Sequence, residues 1–180
     1  KKHFTTQRSL GTGEIWIYHV SGGGGVQLVK RASDTLQKEL GEPVYSPNGD
    51  AVYYSRNVTS GPIFEYAQDS TQGTFAIERY DLATGEVTTA VSGYGGAVRP
   101  QPSPDGKNIA FIRRDKDKTE LWVKDLASGQ QRMIYGDLDM DMQETWAVHG
   151  FYPLMDWMPN GNSIVLWAGG KLQRVSADGS

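Results

Sequence analysis

The three histidines are the first residues to consider for chemistry, because imidazole is a frequent acid–base group and metal ligand. They are His3, His19 and His149, and no two of them have the spacing His-x-His or His-x-x-x-His. A hydrolytic metal centre needs several imidazoles and carboxylates that converge on one ion. The sequence also has no cysteine and no Gly-x-Ser-x-Gly nucleophile motif. We therefore expect no catalytic residue, no metal site and no cofactor in this chain, and we expect His19 to make a turn hydrogen bond.

A run of alternating carboxylates is the second candidate for chemistry. It consists of Asp137, Asp139 and Asp141. Several carboxylates close together suggest Ca²⁺, but the EF-hand pattern fails because Met142 replaces its glycine and Val148 its bidentate glutamate. The apolar residues between the carboxylates also alternate: Leu138, Met140 and Met142. We interpret the segment as an acidic connector whose carboxylates face water and whose apolar side chains point inward.

Charge and composition exclude several classes of protein. The net charge of −3 and the pI near 5.6 give no basic surface for nucleic acid. Basic residues do cluster at Arg113, Arg114, Lys116 and Lys118, but Asp115 and Asp117 lie among them, which predicts a solvated hairpin tip. No apolar stretch reaches the roughly 18 residues that suggest a membrane span. With 38% hydrophobic residues, the chain has enough apolar side chains to form a core.

One turn occurs three times along the chain. The copies are Ser46-Pro47-Asn48-Gly49, Ser103-Pro104-Asp105-Gly106 and Met158-Pro159-Asn160-Gly161. Proline presets φ at the first corner, and Asn or Asp followed by Gly tolerates the positive φ that comes next. Because each copy lies between an extended stretch and an apolar one, each predicts a β-hairpin.

A second turn follows each hairpin. Asp81–Gly85 matches Asp125–Gly129, Lys171–Gly179 is a weaker copy, and Ile15–Gly23 is a copy without a hairpin ahead of it. The repeating unit therefore has four antiparallel strands with short polar turns, which is the blade of a β-propeller. No sustained 3.6-residue apolar period supports a helix, apart from a weak patch at 33–40.

The repeats define an all-β chain that forms part of a propeller. We expect a half blade at 14–29, blades at 43–91 and 99–134, and an incomplete blade at 153–180. Complete propellers have about four to eight blades, so these three to four blades predict an incomplete ring. Unpaired sheet edges associate readily. We therefore expect the missing blades, or a second copy of the chain, as partners at the exposed edges.

The repeats also resemble a known family. Ser103–Phe111, followed by Leu121–Leu126, is similar to the WD40-like (PD40) repeat of the TolB-like propellers. More narrowly, 143–153 and 169–172 resemble the propeller that large bacterial extracytoplasmic proteins join to an amidohydrolase domain. The resemblance implies a non-catalytic interaction scaffold or substrate gate in the bacterial periplasm, with any metal-dependent hydrolysis elsewhere in the parent chain. Two alternatives remain: the propeller of a prolyl-oligopeptidase-type serine peptidase, and a free-standing protein-binding module.

Candidate contact residues follow from the propeller geometry. Residues just before the Pro-Asn/Asp-Gly turns belong to the innermost strands, where propellers bind ligands or peptides at the channel mouth. They are Tyr45, Arg99, Gln101 and Asp156. The long loop Asn57–Gly73 adds Phe64 and Tyr66, and the acidic connector adds His149. The alternatives are ordinary packing between blades, which also suits Trp157 and Trp167, and a loop insertion without a role.

Overall fold

The computed structural model describes residues 13–31, 38–61, 72–142 and 153–180. These residues form thirteen β-strands. In chain order they are β1 (Ile15–Ile17), β2 (Val26–Val29), β3 (Leu40–Tyr45), β4 (Ala51–Asn57), β5 (Phe75–Asp81), β6 (Val87–Val91), β7 (Val98–Pro102), β8 (Asn108–Asp115), β9 (Lys118–Asp125), β10 (Gln131–Tyr135), β11 (Met155–Trp157), β12 (Ser163–Ala168) and β13 (Lys171–Ser176). In the part of the chain that the structure describes, no helix has the length and hydropathy needed to cross a membrane.

The strands form four antiparallel sheets, each built from consecutive strands. We call β1–β2 the half blade, β3–β6 the first blade, β7–β10 the second blade and β11–β13 the third blade. The third blade has three strands among the described residues. The predicted fold class, tandem antiparallel blades in an unclosed ring, is confirmed.

The three Pro-Asn/Asp-Gly turns share one backbone geometry. In each, the glycine N–H donates to the carbonyl three residues earlier at 2.8–2.9 Å, and the glycine φ is 71–73°. Proline at the second turn position and a left-handed glycine at the fourth give a type I turn followed by a bulge, which suits twisted hairpins. The predicted hairpins β3–β4, β7–β8 and β11–β12 are present at these residues.

The second type of turn fastens the outer strands of a blade to the inner hairpin. Its aspartate accepts hydrogen bonds from the amides two and three residues later, as Asp81 does from Ala83 and Thr84 at 3.0 Å. The next residue donates its amide across to the neighbouring hairpin turn. The three donor–acceptor pairs are Leu82 to Asp50, Leu126 to Lys107, and Ala177 to Asn162. The repeated backbone bonds explain why the two turn motifs recur together.

The core consists of apolar layers between adjacent sheets. The half blade packs on the first blade through Ile15, Val29, Leu40 and Tyr54. The first blade packs on the second through Tyr53, Ile77, Val91, Ala97, Ile109 and Phe111. The layer between the second and third blades includes Ile112, Leu121, Trp157, Ile164 and Leu166. Each blade is therefore stabilised chiefly by its neighbours, because burial removes these side chains from water.

Candidate functional site

The first strands of the blades meet along one side of the sheets. β7 contacts both β3 and β11, as the innermost strands of a propeller do around its channel. The antiparallel register shifts within β3, around Glu42, and within β7, around Arg99. The two bulges lie at the same place in the repeat, since each of these residues precedes the turn glycine by seven positions. They are the most distinctive local feature of the inner strands.

Both bulge residues have a left-handed backbone. The φ angles are 54° at Glu42 and 57° at Arg99, and among the described non-glycine residues only Lys116 also has a positive φ. A side chain in this conformation costs about 1–2 kcal/mol, so tertiary contacts must compensate. The compensation is an ion pair between the two residues.

The ion pair spans the joint between the first and second blades. Arg99 Nη1 lies 2.7 Å from Glu42 Oε1, and the two side chains are only 11% and 10% exposed. The Arg99 backbone amide also donates to the hydroxyl of the fully buried Ser55 at 2.9 Å. Removing one partner of a buried pair leaves an uncompensated charge and typically costs about 3–5 kcal/mol. The pair therefore fixes the relative position of the two inner strands.

A second buried carboxyl lies just before β3. Glu39 is 1% exposed, and its Oε2 accepts a hydrogen bond from Asn57 Nδ2 at 3.1 Å. Its Oε1 has no hydrogen-bond partner among the described residues. Burial raises the pKa of Glu39 to about 7, against the smaller opposing effect of the Asn57 hydrogen bond. This carboxyl therefore titrates near neutral pH.

Arg113 fastens the segment that joins the first and second blades to the second blade. Its guanidinium donates to the carbonyl oxygens of Gly96 and Ser92, both at 3.0 Å, and to Gln131 Oε1 at 2.6 Å. It also lies over the rings of Phe111 and Trp122, 4.9 and 5.5 Å from their centroids. Burial lowers the pKa of Arg113. The prediction of a solvated hairpin tip is wrong at this residue, because carbonyl groups of the segment between β6 and β7 replace water around the guanidinium.

The acidic connector packs more closely than its sequence predicts. Asp141 receives two hydrogen bonds from Arg114, at 2.7 and 3.0 Å, and a third from the Thr119 hydroxyl at 3.0 Å. Arg114 is therefore also paired, with a side chain only 11% exposed. Asp139 accepts from the Gly169 amide at 2.8 Å. The expectation that these carboxylates face water is wrong for Asp141, whose side chain is 27% exposed and binds the second blade. Asp139 is exposed, as expected, and it also binds the turn of the third blade.

The alternation of apolar residues in the connector is only partly realised. Met142 is buried and Leu138 packs against the core layer between the second and third blades, as predicted, but Met140 is 43% exposed. The predicted turn bond of His19 is present, because its Nδ1 lies 2.5 Å from Ser21 Oγ.

The structure separates the predicted contact residues. Tyr45 is 51% exposed at the end of β3, Asp156 is exposed in β11, and Arg99 is held in the ion pair. Gln101 contributes its backbone carbonyl, which accepts from Trp157 Nε1 at 2.8 Å. Phe64, Tyr66 and His149 lie outside the described residues. Their role as contacts for a ligand or partner stays a prediction.

The residues that the sequence reasoning missed are Glu39, Glu42, Ser55 and Arg113. One signal was available for Glu42, because it aligns with Arg99 when the turn glycines are superposed and carries the opposite charge. The other three are notable because they are buried between sheets, and the periodicity of the sequence does not predict that burial. Within 13–31, 38–61, 72–142 and 153–180, no group of three His, Cys, Asp or Glu side chains is arranged to hold a metal ion.

Curated proteins with similar sequences include two peptidases and a TolB protein. Dipeptidyl-peptidase 5 of Porphyromonas gingivalis is 26% identical over 69% of this chain, and the uncharacterized peptidase YuxL of Bacillus subtilis is 25% identical over 78%. The Tol-Pal system protein TolB of Chromobacterium violaceum is 31% identical over 34% of the chain. The matches cover 17%, 19% and 14% of these relatives, so the chain spans less than a fifth of each. No protein-family model matches the chain.

Solved structures with the same architecture cover between 78% and 94% of the chain. TolB from Acinetobacter baumannii superposes with a TM-score of 0.66 at 19% identity, over 93% of this chain and 36% of that one. An oligogalacturonate lyase in complex with manganese gives 0.61 at 16% identity, over 94% and 42%. The propeller domain of the Trilobed protease from Pyrococcus furiosus, which has an open velcro topology, gives 0.51 at 17% identity, over 78% and 40%.

The class of the fold follows from these observations together. Consecutive four-stranded antiparallel sheets, packed face to face with their first strands on one side, define a β-propeller. The superposition on TolB shows that this chain forms part of a propeller with the same fold, and the repeated turns recur at equivalent places in its blades.

Proposed function

We propose that this chain is a non-catalytic section of a larger propeller, which acts as an interaction scaffold or substrate gate in an extracytoplasmic hydrolase. One observation carries the proposal. The outward face of the third blade exposes large apolar side chains. These are Leu154, Trp167 and Leu172, which are 74%, 47% and 75% exposed. The equivalent faces of the first and second blades are covered by the blade that follows each of them.

The outward face of the third blade has the residue types of a blade joint. Trp167 and Leu172 are direct cross-strand partners in β12 and β13, and both lie on the side away from the second blade. Contiguous exposed apolar groups of this kind mark interaction sites. The best candidate to cover this face is a further blade of the parent chain, because the other blades of the molecule are packed against one another in this way. A second copy of the chain is the other partner that would cover it.

The coverage of this face can be tested by hydroxyl-radical footprinting. Trp167 and Leu172 should be labelled strongly in the 180-residue chain and protected in the full-length parent. Tyr45, which is also exposed, serves as the internal control for labelling. Light scattering should show association of the isolated chain above 19.8 kDa as its concentration rises. A monomer at all concentrations, with equal labelling in chain and parent, would contradict the proposal.

The chemistry of the parent enzyme has two candidates. The resemblance of 143–153 and 169–172 supports a metal-dependent amidohydrolase. The two peptidase relatives favour a serine peptidase instead. Full-length parent should be assayed with a metal chelator and, separately, with a fluorophosphonate probe that labels active serines. Loss of hydrolysis with chelator supports the first candidate, and covalent labelling supports the second. Hydrolysis by the 180-residue chain alone, surviving repurification and chelation, would contradict the non-catalytic role.

The extracytoplasmic location is proposed by resemblance to TolB-like proteins. The absence of cysteine is compatible with it. Fractionation of the native host, with immunodetection of the parent protein, tests the location directly. Recovery with the periplasmic or cell-surface fraction is the expected result, and recovery only with cytoplasmic markers is the contrary one.

A further inference from the structure

A groove of about 440 Å³ lies between the first and second blades, on the side of the hairpin turns. Three prolines line it, together with the small exposed part of Tyr53. The prolines are Pro47, Pro102 and Pro104. Proline rings are rigid and Tyr53 is only 6% exposed, so the walls keep their shape without a ligand. Such a surface suits a flat group that stacks against it.

Charged side chains lie at the same groove. Asp50, Asp105 and Arg79 contribute to its lining. Arg79 is already paired with Asp81 at 3.1 Å and with Asp50 at 3.5 Å. With Lys107, whose positive charge acts on Asp105, the three carboxylates and two cations at the groove carry a net charge of −1, and Asp105 is the carboxylate that Arg79 does not pair with.

Asp105 uses only one of its oxygens in the hairpin turn. Its Oδ1 accepts from the Ser103 hydroxyl at 2.6 Å and from the Lys107 amide at 3.1 Å. Its Oδ2 takes no hydrogen bond from the described residues. The Ser103 hydroxyl, and then the Lys107 amide, lower the pKa of this carboxyl, so it is ionised at neutral pH. The turn thus presents a fixed negative oxygen to solvent at the groove.

The corresponding positions of the second and third blades carry different residues. When the turn glycines are superposed, Lys107 replaces Asp50, Ala110 replaces Tyr53, and Asn160 replaces Asp105. The propeller repeat therefore needs neither the carboxylates nor the aromatic ring at this position. The combination of a negative charge with a stacking surface is a property of this groove, and the fold alone does not account for it.

We propose that this groove binds an arginine side chain of a peptide partner. A guanidinium is flat, stacks on aromatic and proline faces, and donates two parallel hydrogen bonds to a carboxylate. The Asp105 carboxylate supplies the charge, and the walls supply the stacking surface. The groove is built entirely from residues of the two complete blades. The proposal therefore goes beyond the scaffold or gate role and does not depend on what covers the third blade.

The test is an NMR titration of the 180-residue chain with acetyl-Gly-Arg-Gly-amide. The backbone amide signals of Asn48, Asp50 and Gly106 should shift in a saturable way, and the affinity should fall as salt rises. The same peptide with citrulline in place of arginine keeps the shape and loses the charge, and it should bind about two- to fivefold more weakly, as expected for loss of one exposed ion pair. Equal shifts with both peptides would overturn the proposal.

A pair of variants locates the site. Asp105→Asn keeps the acceptor for Ser103 and removes the charge, so it should weaken the arginine peptide about two- to fivefold. Asp125→Asn is the matched control, because Asp125 also accepts turn hydrogen bonds but lies outside the groove. The affinity of this variant for the arginine peptide should be unchanged. Equal loss in both variants, or no loss in either, would overturn the assignment. If Asp105→Asn does not fold, the citrulline comparison and the location of the shifted signals still decide the question.

Discussion

The outward faces of the second and third blades carry the same kind of side chains in opposite surroundings. Ile112 and Trp167 both lie six residues after their turn glycine, and each pairs with a leucine in the next strand, Leu121 or Leu172. Ile112 and Leu121 are 0% exposed, whereas Trp167 and Leu172 are 47% and 75% exposed. The only difference is that the third blade covers the first pair.

This difference shows where the stability of the chain resides. Full burial of a large apolar side chain contributes about 1.5–3 kcal/mol, and the second blade obtains that contribution from its neighbour. The third blade has the residues but no covering sheet among the described strands.

A second contrast concerns the inner strands. The joint of the first two blades has an ion pair, while Leu154 occupies the corresponding position of the third blade.

The largest effect is expected at the ion pair. Arg99→Met should lower the free energy of unfolding by about 3–5 kcal/mol, because it removes the guanidinium that lies 2.7 Å from the buried Glu42 carboxylate. The double variant Glu42→Met with Arg99→Met should recover most of the loss. Urea denaturation of both variants measures the two values. A single variant as stable as the double one would show that the pair does not hold the joint.

Leucine truncation compares the covered and open faces directly. Leu121→Ala should cost about 2–5 kcal/mol, because it leaves a cavity between the second and third blades. Leu172→Ala should change the stability by less than about 0.5 kcal/mol, since that side chain is exposed. The midpoints of urea unfolding measure both changes. Equal losses would mean that the outward face of the third blade is already covered in the isolated chain.

The buried carboxyl at the first joint predicts a pH dependence. The pKa of Glu39 is raised from 4.5 to about 7 in the folded chain. The contribution of this carboxyl to the free energy of unfolding is therefore most favourable below pH 4.5 and is lost as the pH rises through 7. Glu39→Gln should remove this loss and stabilise the chain at pH 8 by on the order of 1–2 kcal/mol. Thermal unfolding of both proteins between pH 4 and 8 tests this, and parallel curves would contradict it.

The smallest effect concerns the attachment of the connector to the third blade. Asp139→Ala removes the acceptor of the Gly169 amide and should cost about 0.5–1 kcal/mol. The amide hydrogen of Gly169 should then exchange faster in this variant than in the unsubstituted chain. Asp178→Ala, at a turn away from the connector, is the control that should leave Gly169 unchanged. Unchanged exchange in both variants would show that the connector does not secure this turn.

Much of the architecture was predictable because turn chemistry is local. The Pro-Asn/Asp-Gly and Asp-Leu-Ala motifs impose their own backbone geometry, so the hairpins could be placed from a few residues each. The inner strands were less predictable. Arg99 was correctly placed on an inner strand, but its left-handed backbone and its bond to Glu42 depend on a residue 57 positions away. Nothing in the periodicity of either strand reports such a contact.

The polar residues between blades show the same limit. The alternating charges around Arg113 and Arg114 suggested solvent exposure, yet carbonyl groups of the segment between β6 and β7 contact the first and Asp141 binds the second. The carboxylates of the acidic connector were likewise predicted to face water, which is wrong for Asp141. A charged side chain can be buried wherever another part of the chain supplies its hydrogen bonds, and local sequence does not contain that information.

The amino-acid order alone determined the strands, the turns and the repeat, because these depend on proline, glycine and aspartate acting over four or five residues. Only the tertiary structure decided which apolar faces are covered and which charges are paired. Those outcomes depend on the neighbouring sheet, since Leu121 and Leu172 have the same chemistry and differ only in what lies opposite them.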